Sequence, residues 1–226
     1  MTSYTQNQTI IQAGESFDGF HIITEGSVAA TYDSSESIKS FTLKKGVEIL
    51  EVGFLQVIAG ALMSRPDDIS PKSGMELFRE KVKKIWIMGG KWHMQGGDEY
   101  NLCKYPFAQA GSHAFVSNCP CPITFLGWEI GAGVITGSKL PKDDFLHIAL
   151  DDHGSGGGRE SWDPMLAVLA LTNDNEKAGY KTIRGTATVN NHGLNFFEEN
   201  ENGIHEYVVK TEPDEFYINI IDSIIA

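Results

Sequence analysis

Three short apolar runs, each closed by glycine, set the frame for this chain. Val47-Glu48-Ile49-Leu50-Glu51-Val52 ends in Gly53, Lys84-Ile85-Trp86-Ile87-Met88 ends in Gly89-Gly90, and Ile123-Thr124-Phe125-Leu126 ends in Gly127. Between them lie segments of helical periodicity: Phe54 to Met63, stopped by Arg65-Pro66-Asp67-Asp68, and Pro106 to Val116. Strands alternating with helices at this spacing predict right-handed crossovers and an α/β fold, with a mostly parallel central sheet flanked by helices. In such sheets ligands sit beyond the carboxyl ends of the strands, so the loops that follow the glycines are where a site is expected.

The rest of the chain is read from caps and alternation. Residues 7 to 30 suggest turns and strands punctuated by Gly14, Gly19 and Gly26, and Asp33 or Ser34 is expected to cap a helix carrying Ile38 and Phe41 and ending at Lys44-Lys45-Gly46. Asp163 to Ala170 reads as a helix with Pro164 in its first turn, and Thr211 as the cap of a terminal helix from Glu212. Thr182 to Val189 and Glu206 to Lys210 alternate like paired strands around an Asn190-Asn191-His192-Gly193 turn, an antiparallel appendage.

Charge narrows the partners. A net charge of −12 with no basic stripe argues against nucleic acid and against an anionic membrane surface, and favours a neutral or cationic small molecule or a metal cation. Met1 to Gln8 lacks a basic start and apolar core, and no run of eighteen apolar residues occurs, so a cytoplasmic protein is expected. Cys103, Cys119 and Cys121 cannot all pair within the chain, and Cys119-Pro120-Cys121 is too tight for an easy disulfide, which fits reduced thiols. The Gly154 to Gly158 run lacks the Lys-Ser or Lys-Thr of a phosphate loop and reads as a flexible connection; Asp151, Asp152 and His153 beside it are available as substitute metal ligands.

Five blocks in order carry a resemblance: Gly53-Phe54-Leu55, Val82 through Met88-Gly89-Gly90, Glu99-Tyr100-Asn101, Ser161-Trp162-Asp163-Pro164, and Gly179-Tyr180 to Gly185-Thr186 with Tyr207 to Lys210. From about residue 29 onward the chain resembles the inosine/uridine-preferring nucleoside hydrolases. The resemblance implies a domain over residues 29–226, a non-homologous leader over 1–28, and loss of the family's N-terminal strands, whose exposed sheet edge would invite self-association into a homo-oligomer. It also implies hydrolysis of the N-glycosidic bond of a ribonucleoside, with calcium gripping the ribose hydroxyls and the attacking water.

By that resemblance Glu99 and Asn101 hold the ribose, Trp162 lies at the leaving base, and Asp163 with the backbone carbonyl of Gln56 contributes to the calcium site. Two apart, Glu99 and Asn101 face the same way if their segment is extended. Asp163 before Pro164 also suits a helix N-cap, Trp86 suits the core, and Trp92 and Trp162 suit a pocket wall. The departures concern chemistry: no Asp-x-Asp-x-x-x-Asp-Asp occurs in residues 1 to 45, Val57 and Tyr105 stand where the family has Asn and Asp, and Trp162 stands where many members have a proton-donating His. Two functions follow, an N-ribosyl hydrolase or a descendant that binds a ligand or partner without turnover.

Overall fold

The computed structural model describes residues 28–31, 38–41, 46–68 and 70–225. In chain order the elements are β1 (Val28–Thr31), β2 (Ile38–Phe41), β3 (Val47–Glu51), α1 (Gln56–Leu62), α2 (Gly74–Lys81), β4 (Val82–Met88), α3 (Tyr100–Cys103), α4 (Pro106–Asn118) and β5 (Ile123–Leu126). They continue with α5 (Trp128–Gly131), β6 (Ile135–Thr136), α6 (Phe145–Asp152), β7 (Arg159–Glu160), α7 (Trp162–Thr172), β8 (Tyr180–Val189), β9 (Asn195–Glu199), β10 (His205–Lys210) and α8 (Asp214–Ile225).

Six strands form the central sheet in the order β3-β4-β5-β10-β8-β9. The pairs from β3 to β10 are parallel, while β10 with β8 and β8 with β9 are antiparallel. The α/β class and the alternation are as expected. The antiparallel segment is no appendage: β10 lies between β5 and β8 and makes the closing strands part of the main sheet. The Asn190 to Gly193 turn joins β8 to β9, strands whose pairing sequence alternation alone does not specify.

Period-two alternation divides the core between two faces. Ile85 and Ile87 of β4 and Ile123 and Phe125 of β5 pack with Leu55, Ile58, Leu62, Phe78 and Phe115 from α1, α2, α4 and their flanks. Trp86, Met88 and Leu126 turn the other way, onto Met165, Leu166 and Leu169 of α7 and Tyr217 and Ile221 of α8. The four-residue run of β5 is wholly buried because helices cover both faces. Trp86 is core, as expected, and its indole N–H donates to Glu48 Oε2 at 2.9 Å.

Local signals decide the helix starts. Ser73 caps α2 in a capping box: its hydroxyl accepts the Glu76 N–H at 3.4 Å and its own N–H donates to Glu76 Oε2 at 2.8 Å. Two expected caps are displaced. The N-cap of α7 is Ser161, with Asp163 in the first turn, and α8 begins at Asp214, one residue past Pro213, while the Thr211 N–H donates to Gly179 O. Residues 38–41, expected in a helix, are a strand paired with β1. Two apolar residues three apart fit either periodicity, and the antiparallel partner decides it. The remainder of that expected helix, 33–37 and 42–45, and the turns and strands expected before residue 28, lie outside the described residues. No helix among the described residues is long and apolar enough to cross a membrane.

Candidate functional site

β3, β4 and β5 lie side by side and parallel; Gln56 follows β3, Glu99 and Asn101 bond to the end of β4, and Trp162 bonds to the helix after β5. After β4 the chain turns at Gly90, whose φ of 88° suits glycine, and a Cβ there would meet the Trp92 indole at 2.6 Å. That space lets Trp92 fold under the turn, where its indole N–H donates to Gly89 O at 2.8 Å and its ring stacks on Tyr207. At 4% exposure Trp92 belongs to the core and is not the pocket wall expected of it.

Glu99 is 2% exposed. Its carboxylate accepts the Gly90 N–H at 3.1 Å and the Asn101 N–H at 3.0 Å, so it caps α3 and ties that helix to the end of β4. Burial pushes the carboxyl group up from its ordinary range, against the lowering effect of these backbone donors and of Lys91. The Asn101 amide donates to Met88 O at 3.2 Å. The structure therefore brings Glu99 and Asn101 together at the carboxyl end of β4 as an N-cap and the helix residue two positions on. The expected extended segment is absent, because the side-chain cap stabilises a helical turn from Tyr100.

Trp162 opens α7, and its indole N–H donates to Trp128 O at 2.7 Å. Gly131 makes room for the ring, since a Cβ there would lie 2.2 Å from Trp162 Cδ1. Trp162 is thus fixed to α5, the turn that leaves β5, with Asp163 exposed beside it. Lost hydration raises the Asp163 carboxyl and Arg159 opposes the shift. Ser161 does not cap α7 with its hydroxyl, which bonds Thr136 Oγ1 at 2.6 Å and Arg159 O at 3.2 Å.

Gln56 opens α1 just after β3, where α4 presses on its backbone; a Cβ at Gly111 would stand 2.6 Å from Gln56 Cα. Among the described residues no group of three His, Cys, Asp or Glu side chains is arranged to hold a metal ion. Tight calcium sites combine six to eight oxygens, several of them charged, and of the two residues expected at such a site only Asp163 carries a charge. Asp151 and Asp152 end α6 and are exposed.

The same end of the sheet holds groups not singled out from the sequence. Glu51, the last residue of β3, has its carboxyl raised by burial, with the Gly53 N–H acting against the shift. Glu129, two residues after Gly127, accepts the Trp92 N–H at 3.0 Å and lies 3.5 Å from His93 Nδ1. Phe54, Tyr100, Tyr105 and Phe107 form an aromatic cluster with ring centroids 5.2 to 6.2 Å apart, which accounts for Tyr105 by packing. The signal for Glu51 and Glu129 was their place at strand ends; that for the cluster was absent, because its members come from three separated segments.

The result is an α/β protein whose central sheet is covered by helices on both faces and whose parallel strands end near polar and aromatic side chains. No family model matches the chain, and no curated protein matches it. Among solved structures it is similar to an inosine-uridine preferring nucleoside hydrolase from Bacillus anthracis, with a TM-score of 0.46 and 19% identity over 79% of this chain and 61% of that one. The chain thus spans less than two thirds of that structure.

Proposed function

We propose that this chain binds the ribosyl part of a nucleoside-type small molecule at the carboxyl ends of β3, β4 and β5. The observation that carries the reading is the Glu99 and Asn101 pair, fixed to the end of β4 within the Glu99-Tyr100-Asn101 block that resembles the ribose-contacting block of nucleoside hydrolases. Trp162, bonded to Trp128 just after β5, would supply an aromatic surface for the base.

Hydrolysis of the N-glycosidic bond is the reaction the resemblance implies for a complete site. Glu99 and Asn101 would supply the sugar contacts of such a site, and residues 1 to 45 hold no Asp-x-Asp-x-x-x-Asp-Asp motif for calcium, so the proposal is of binding, with turnover as an outcome of the assay below. The reading takes residues 1–28 as a leader to a domain over 29–226, a cytoplasmic setting, and a second copy of the chain as a partner, the last to be read by light scattering.

Titration calorimetry with ribose, inosine and uridine, run beside an assay for released ribose with and without calcium, tests the proposal. Heat of binding without ribose release supports it. Ribose release in calcium restores the hydrolase reading, and no binding of any of the three removes the ribosyl site altogether.

A further inference from the structure

An imidazole and a carboxylate meet between the strand ends in a way the ribosyl reading does not use. Glu129 Oε1 accepts the Trp92 N–H at 3.0 Å, which fixes the carboxylate across the gap between the loops after β4 and β5. Its Oε2 is buried and has no hydrogen-bond partner among the described residues, and it faces His93 Nδ1 at 3.5 Å. Room for this arrangement depends on Gly127, where a Cβ would come within 2.5 Å of Glu129 Oε2. His93 itself is 52% exposed. A buried carboxylate oxygen without a donor favours the proton on the ring nitrogen that faces it, and a neutral imidazole with its proton on Nδ1 has a lone pair on Nε2.

The geometry points to His93 as a ligand-binding residue whose Nε2 accepts a hydrogen bond from an O–H or N–H of the bound small molecule, with Glu129 as its positioning residue. The location supports this. Gly90 joins the pair to the ribosyl site, since its N–H donates to Glu99 and its carbonyl accepts the Trp128 N–H at 2.8 Å. The neighbouring charges are occupied: Lys91 is paired with Asp98 at 2.6 Å, and Glu129 Oε1 is taken by the Trp92 backbone N–H. Carboxylate-oriented imidazoles serve as ligand contacts because the carboxylate fixes tautomer and ring direction together. The inference rests on the ribosyl-ligand reading.

The test is nitrogen NMR of protein labelled in histidine, with His93→Gln to assign the signals. Without ligand, in spectra recorded at a pH where the ring carries a single proton, that proton is expected on Nδ1. On adding inosine the Nε2 signal should move, and separate additions of ribose and hypoxanthine tell whether a sugar hydroxyl or a base N–H is the donor. In Glu129→Gln the single amide oxygen is taken by the Trp92 N–H, so the amide NH2 faces Nδ1; the tautomer should reverse and inosine affinity should fall roughly 2- to 10-fold, as for one lost hydrogen bond. A ring protonated at Nε2 in the unsubstituted protein, or an unmoved Nε2 signal with inosine bound, overturns the inference and leaves the ribosyl site standing. An Nδ1-protonated ring in a protein that binds no inosine overturns both.

Discussion

The carboxylate of Glu99 accepts the backbone N–H of Gly90 at 3.1 Å, binding the first residue of the Glu99-Tyr100-Asn101 block to the turn that ends β4. The same carboxylate caps α3 through Asn101. One buried side chain therefore sets both the direction of the loop after β4 and the start of the next helix. Glu99→Ala leaves two backbone donors without this acceptor, and a loss of about 1–3 kcal/mol is expected from urea unfolding. A loss within 0.5 kcal/mol, roughly the range of an ordinary surface change, would show that water replaces the carboxylate.

Gly131 and Trp162 test how tightly the site is packed. Gly131→Ala places a methyl group 2.2 Å from the indole, so the ring must shift and its bond to Trp128 O must stretch or break. Overpacking of this kind costs roughly 1–3 kcal/mol. Trp162 fluorescence should shift to longer wavelength as the indole gains water, a change read against Trp162→Phe to isolate its emission.

The capping box of α2 gives a local prediction away from the site. Ser73→Ala removes the acceptor for the Glu76 N–H and should lower stability by about 1 kcal/mol, with Ser73→Asp largely restoring it. Equal stability of all three proteins would mean that the tertiary contacts of Leu77 and Phe78 hold the helix start without its cap.

His205 predicts a pH dependence. It is 5% exposed on β10, its Nδ1 accepts the Ala187 N–H at 3.0 Å, and burial lowers its pKa from the ordinary 6.5. Below pH 6.5 the unfolded chain takes up a proton that the folded one refuses. The stabilisation from keeping His205 neutral is thus full above pH 6.5 and is lost as pH falls toward the folded value, by at most about 1.4 kcal/mol per unit. Urea midpoints between pH 7.5 and 5.5 should fall more steeply for the unsubstituted protein than for His205→Gln. Parallel slopes would place the titration elsewhere.

Much of the architecture is legible in the residues alone. Val47 to Glu51, Val82 to Met88 and Ile123 to Leu126 are strands because short runs rich in β-branched and apolar residues, each followed within two residues by glycine, favour extended chain, and α1, α4 and α7 follow from periodicity and from Pro106 and Pro164 near helix starts. Asp163 was legible near a helix start because Pro164 follows it, whereas Glu99 and Asn101 were expected in an extended segment and instead cap and open α3.

What the sequence left undecided depended on contacts between distant segments. Residues 38–41 are a strand because β1 pairs with them, β10 enters the main sheet because β5 and β8 flank it, and Trp92 is core because Phe125 and Tyr207 close over it. Glu129 meets His93 across 36 residues, and Phe54 meets Tyr105 and Phe107 across about fifty. Propensity and periodicity act over a few residues. Pairing, burial and the hydrogen bonds of a buried carboxylate are settled only when the sheet brings remote strand ends together, so the main parallel strands and their helices were readable from the sequence while their partners and side-chain contacts were decided by the tertiary fold.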